Sequence, residues 1–96
     1  MIEQIFEELR ESGLVSSGNE FSRTWLGMDE SYMRGIRAKR RRPSARVLAQ
    51  CAVRLKVMAD DLSKGQNHET REKARHVEFL ANLCIAEIIQ TAKAST

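Results

Sequence analysis

The dipeptide Pro43-Ser44 constrains the fold of this chain more than any other pair of residues. Proline has no backbone N–H and disfavours helix in the residue before it, whereas serine is a strong helix N-cap. One pattern must stop here and another must start. On its C-terminal side the stretch ARVLAQCAVRLKVMADDL carries Val47, Leu48, Cys51, Ala52, Leu55, Val57 or Met58, and Leu62 at helical spacing, which predicts the most buried helix of the chain. The dipeptide itself lies within RGIRAKRRRPSAR (residues 34–46), which has seven positive side chains in thirteen positions.

The rest of the chain divides in the same way. Ile2, Ile5, Phe6 and Leu9 fall at i, i+3, i+4 and i+7 and predict an amphipathic first helix ending near Ser12-Gly13. Ser17 and Glu20 before Phe21 have the form of a capping box, so a short second helix starts at Ser17, buries Phe21, Trp25 and Leu26, and closes at Gly27. Asp29 reads as the N-cap of a third helix whose only apolar anchors are Met33 and Ile36, so most of its surface faces outward. After a loop at residues 63–67, one long helical pattern runs from His68 to about Ala94. That is about 40 Å of helix at 1.5 Å per residue, longer than the four shorter helices are expected to cover. Its apolar positions Leu80, Leu83, Cys84, Ile85, Ile88 and Ile89 are therefore expected at a homodimer interface, and removal of residues 78–96 is expected to leave a monomer.

Charge is segregated along the chain. Residues 1–30 carry a net −5, residues 31–58 a net +9 with no acid, and residues 59–96 a net −1. An ordinary solvated surface intersperses the signs, so the cationic middle favours a polyanionic partner at one defined face. With 42% hydrophobic residues and a single proline, the chain is expected to fold as one domain without staples. Cys51 and Cys84 sit in apolar runs and read as small buried hydrophobes of a reducing compartment. The acidic N-terminus and the lack of an apolar run of about 18 residues argue against a signal peptide or a membrane span, so a cytoplasmic location is expected.

Catalytic chemistry finds little support. His68, His76 and the two cysteines lack zinc-site spacing, no glycine-rich phosphate loop is present, and no nucleophile, base and orienting acid can be assembled. The chain is read as a non-enzyme without metal or cofactor.

Two short helices joined by a tight turn, inside a set of five, form the layout of a helix-turn-helix unit in an all-α fold. Residues 17–57 resemble the Cro and lambda-repressor-like (XRE) family. Phe21-Ser22 stands at the family's Leu-Ala pair, Gly27 at its turn glycine, and Asp29-Glu30-Ser31 at the polar start of its recognition helix. Met33 and Ile36 match its paired isoleucines, residues 39–44 its basic loop ending in Pro-Ser, and Leu48, Ala49, Cys51, Ala52 and Leu55 the register of its fourth helix. Three features depart from it. The turn after the second helix is one residue longer, Gly18 replaces a phosphate-binding glutamine, and Lys39 replaces a C-terminal glycine. Either Lys39 is left-handed or the helix continues into the arginines.

The resemblance implies a five-helix lambda-repressor-like domain at residues 1–62, with residues 63–96 as loop and dimerisation helix. It implies a transcriptional regulator, most simply a repressor of bacterial or phage type, bound as a homodimer to a pseudo-palindromic site in double-stranded DNA. Base edges would be read by Glu30, Ser31, Tyr32, Arg34 and Arg37. Phosphates would be met by Asn19, Arg23, Lys39, Arg40, Arg41, Arg42 and Arg46. Two alternatives stay open: an antitoxin that also masks a toxin with its last helix, and an adaptor whose basic face holds RNA or an acidic protein.

Overall fold

The computed structural model describes residues 1–94, which form five helices and, among the described residues, no strand. The first helix, α1 (Ile2–Glu11), buries the four apolar positions read from its spacing and ends through Ser12 into Gly13. Ser17 caps α2 (Gly18–Glu20) as its motif requires: its hydroxyl accepts the Glu20 N–H at 3.1 Å. The reciprocal bond reaches one residue further back than in a standard capping box, because the Glu20 carboxylate accepts the N–H of Ser16 at 3.0 Å.

From α2 the chain runs unbroken into a π turn (Phe21–Trp25). Here Leu26 N–H donates to the Phe21 carbonyl at 3.1 Å, a step of five residues instead of four. One residue more is thereby housed inside the helix than in a regular α turn. Phe21, Trp25 and Leu26 all face the core. Gly27, at φ 65°, closes the segment in the left-handed region that glycine adopts without steric cost.

The recognition-like segment begins later than expected. Asp29 does not cap a helix; it heads a turn, and α3 (Tyr32–Lys39) starts three residues on. Met33 and Ile36 anchor it. Its end resolves the Lys39 alternative in a third way: Lys39 stays helical and Arg40 takes the left-handed conformation at φ 50°, ψ 38°. For a residue with a Cβ that conformation costs about 1 kcal/mol. Pro43 then leads to Ser44, whose hydroxyl accepts the Val47 N–H at 3.3 Å and caps α4 (Ala45–Ser63).

The core is built on α4 and α5 (His68–Ala94). Ala59 lies beside Ala74, Lys56 pairs with Glu78, and Cys51 and Cys84 are in mutual contact, so residue numbers rise along one helix as they fall along the other. This antiparallel pair carries Val47, Leu48, Cys51, Ala52 and Leu55 against Val77, Leu80, Ala81 and Cys84. The π turn and α1 close over it: the Phe6 and Phe21 rings lie 5.3 Å apart, and His76 Nε2 on α5 meets Glu8 Oε1 on α1 at 3.2 Å. Both cysteines are fully buried and free. The hydrogen bond to Cys84, and then burial, push the Cys51 thiol up, so it stays protonated.

This arrangement corrects one expectation. Leu80 and Cys84 do not face a second subunit, since both are fully buried within their own chain. Leu83 and Ile88 are half-buried against the same core, which leaves only Ile85 and Ile89 of the expected interface exposed. α5 supplies one wall of the core that it shares with residues 1–62, and Ser63 belongs to α4. The spacing of α5 shows it to be apolar around more than one stripe but cannot show which stripe its own chain covers.

Leu80→Ala should therefore lower the free energy of unfolding by about 2–5 kcal/mol. Removal of residues 78–96 should abolish the cooperative melt followed by circular dichroism; a truncated chain that still melts cooperatively would mean that α5 is dispensable to the core.

Candidate nucleic-acid interface

The face presented by α2 and α3 depends on one buried hydroxyl. Ser22 lies in the π turn, and it is the only polar side chain fully buried among the described residues. Its Oγ donates to the Gly18 carbonyl at 2.8 Å and accepts the Met33 N–H at 3.1 Å. Met33 is the second residue of α3, where a backbone N–H has no partner within its own helix, so the hydroxyl satisfies a donor that would otherwise be orphaned. The small side chain also lets the two segments approach: a Cβ placed on Gly18 would lie 3.9 Å from that of Met33.

The start of α3 is held from the other side by Asp29. One oxygen of its carboxylate, Oδ1, accepts both the hydroxyl and the backbone N–H of Ser31, at 2.6 and 2.9 Å, and its carbonyl accepts the Tyr32 N–H at 2.9 Å. The side-chain bond from Ser31, then its backbone bond, and the nearby charge of Arg34 hold the Asp29 carboxyl below its usual value. Glu30, Ser31 and Arg34 stand exposed. Tyr32 is half-buried, packed on the core, and its phenol is pushed up by desolvation. The ring forms part of a groove lined by Met28, Asp29, Ser31, Lys39, Arg41 and Arg42.

That groove brings Ser31 and Tyr32, of the expected base readers, together with Lys39, Arg41 and Arg42, of the expected phosphate contacts; Glu30, Arg34 and Arg37 do not line it. It shares Arg41 and Arg42 with a second open groove that also holds Arg40, and shares Met28 and Ser44 with a third that holds Arg46. A continuous cationic rim results, and Arg34 lies close enough to Asp29 to depress its carboxyl. Asn19 and Arg23 are exposed around a separate shallow concavity on α2 and the π turn, with no lining residue in common with the grooves.

Arg37, expected among the base readers, has partners on α1. Its Nε and Nη2 both donate to the Glu3 carboxylate, the latter at 2.9 Å, and its guanidinium lies 5.5 Å from the centroid of the Phe6 ring. Spacing alone put Arg37 on the outward side of α3, but that side meets α1. A fork of donors opposite a carboxylate and an aromatic face is a stable seat for arginine, so Arg37, though exposed, ties α3 to α1.

The remaining cations have no such partners. Among the described residues, Arg23, Arg34, Lys39, Arg40, Arg41, Arg42 and Arg46 take part in none of the ion pairs, which instead join Glu3, Glu7, Glu8, Asp60, Glu72 and Glu78 to bases elsewhere. No group of three or more His, Cys, Asp or Glu among the described residues could hold a metal ion, and no helix is long and apolar enough to cross a membrane.

A family profile matches residues 2–96. The chain belongs to the family of unknown function DUF6626. Searches of curated proteins and of solved structures found no match. The helix-turn-helix resemblance of residues 17–57 thus rests on the residues themselves.

Sequence reasoning missed Asp29 as the holder of Ser31. The signal was present, since an Asp two residues before a Ser can form a side-chain turn of this kind, but the same Asp also suits an N-cap. Gly35 is not required by α2, because a Cβ there would meet nothing within 4 Å. Ser22→Ala should leave the Met33 N–H unpaired and lose about 1–3 kcal/mol in urea unfolding. Gly35→Ala should gain up to about 1 kcal/mol in the same assay.

Proposed function

We propose that this chain is a helix-turn-helix protein that binds double-stranded DNA and regulates transcription, most simply by repression, with α3 in the major groove and the basic loop on the phosphates. The observation that carries the reading is the cationic rim: exposed bases that form no ion pair, with Asp29 beside Arg34, running from the start of α3 through the loop to the first turn of α4. Like charges this close repel one another, and a polyanion relieves that repulsion while releasing its own counterions. The clasp between Ser22 and α3 gives the rim a rigid exposed edge, which is what base reading requires beyond mere attraction.

Roles divide along the rim. Arg34 reads guanine bidentately, Ser31 and Glu30 meet base edges beside it, and Lys39, Arg40, Arg41, Arg42 and Arg46 meet phosphates. Arg37 serves as the brace to α1. Gly35 permits close approach of the α3 backbone to the groove, so the alanine that stabilises the free protein weakens the complex.

The functional unit is a homodimer with two α3 helices about 34 Å apart on one face of the duplex. Its apolar contact is centred on Ile85 and Ile89, one turn apart and both exposed on α5. Charged residues at both positions (Ile85→Asp with Ile89→Asp) should give a monomer by sedimentation with the thermal melt intact. A dimer that survives them would place the contact elsewhere.

Arg34→Ala should lose about 1–3 kcal/mol of binding free energy and relax the preference at one base pair. Arg41→Ala should weaken all sequences alike and flatten the salt dependence by about one, from a slope of roughly −5 for six phosphates neutralised by a dimer. Titrations of labelled duplexes across a salt series separate the two. Salt-sensitive binding to every polyanion without a footprint on any site would favour the adaptor reading instead.

A further inference from the structure

The Ser31 hydroxyl is exposed at the edge of α3, but its proton is already committed. Its Oγ lies 2.6 Å from Oδ1 of Asp29, within the range of a charge-assisted O–H···O⁻ bond, and the same oxygen accepts the Ser31 N–H. Asp29 is fully exposed, and the two bonds from Ser31, with the charge of Arg34, keep its carboxyl ionised at neutral pH. An ionised carboxylate accepts and never donates, so the hydroxyl must be the donor in this pair. What remains of the hydroxyl is its two lone pairs.

We infer that Ser31 reads its base as a hydrogen-bond acceptor only, and so selects an exocyclic amine, adenine N6 or cytosine N4, on the strand it contacts. The inference rests on the DNA-binding reading above. A serine free to rotate bonds donors and acceptors alike and discriminates little. With the proton held by Asp29, guanine O6 and N7 or thymine O4 meet a lone pair with a lone pair. Asp29 is thus a positioning residue: it touches no base and sets the chemical sense of the residue that does.

Arg34 carries the opposite sense, since a guanidinium only donates. Ser31 is the N-cap of α3, in near-helical backbone (φ −86°, ψ 0°), and Arg34 is the third residue of the helix, so the two lie on one side of its first turn, displaced by about 4.5 Å along the axis. The base-pair step is about 3.4 Å, so the two side chains reach neighbouring pairs. Each half-site should hold an amine-bearing base beside the guanine read by Arg34.

Selection from a random duplex library tests this with the full chain, Ser31→Ala and Asp29→Ala. The unaltered protein should enrich adenine or cytosine over guanine or thymine by about tenfold at one half-site position, the equivalent of about 1.4 kcal/mol. Ser31→Ala should level that position and keep the adjacent guanine, whereas Asp29→Ala should admit guanine and thymine there. Because loss of Asp29 also removes bonds at the start of α3, a second measurement leaves that residue in place. Replacing the selected base by an analogue without its amine should weaken the unaltered protein about tenfold and Ser31→Ala not at all. An amine preference that persists in Ser31→Ala, or an analogue that weakens neither protein, overturns the inference while sequence-specific binding stands. Failure to enrich any sequence overturns both readings.

Discussion

The hydroxyl of Ser22 is the contact on which the exposed face of this protein depends. A polar group buried to this extent is tolerated only when it is bonded, and Ser22 is bonded in both senses, as donor to Gly18 and acceptor from Met33. Each bond constrains a different element: one fixes the side chain on its own helix, the other fixes the beginning of α3 relative to that helix. An apolar side chain of the same size would strand a backbone N–H. From this single contact come the seating of Met33 in the core, the outward aim of Ser31 and Arg34, and the closeness of Gly18 to α3.

Charge is arranged around that frame with a clear division. Acids on α1 and α5 are drawn into contacts that tie helices together, as Glu3 does with Arg37 and Glu8 with His76. Bases on the rim are left without them. Exposed pairs of this kind add little stability each, so the significance lies in which cations stay bare. Arg37 shows that the distinction is real, since an arginine at the edge of the same run is withdrawn by one carboxylate and one aromatic ring.

Helix existence was legible in the residues because each helix carries its own local signature: the spacing of Ile2, Ile5, Phe6 and Leu9, the cap of Ser17, the Pro43-Ser44 junction. The features that misled were those decided between elements. Asp29 has the right chemistry for an N-cap and for a side-chain turn, and only the partner claimed by Met33 settles where α3 begins. Leu80 and Cys84 belong to an apolar surface wider than one stripe, and periodicity does not say whether the neighbour is α4 or another molecule. Arg37 satisfied every local criterion for an outward-facing base; the carboxylate that it pairs with lies thirty-four residues away, in Glu3, where local spacing does not reach. The left-handed residue fell one place beyond the glycine-like position because the last turn of α3 closes through Ile36, whose carbonyl accepts from both Arg40 and Arg41.

The π turn has a further consequence, for how this chain can be compared with others. Because one wider hydrogen-bonded ring between Phe21 and Leu26 holds an additional residue, a difference in chain length is absorbed within a helix, where alignment conventions do not look for gaps. A correspondence carried across that ring without allowing for it would be offset by one position, and one position on a helix is a rotation of about 100°. It would put Met33, a buried anchor, or Gly35, which has no side chain, in the place of the exposed Arg34. Positions in relatives of this chain should therefore be matched separately on the two sides of that ring, with Pro43-Ser44 as the fixed point for those that follow it.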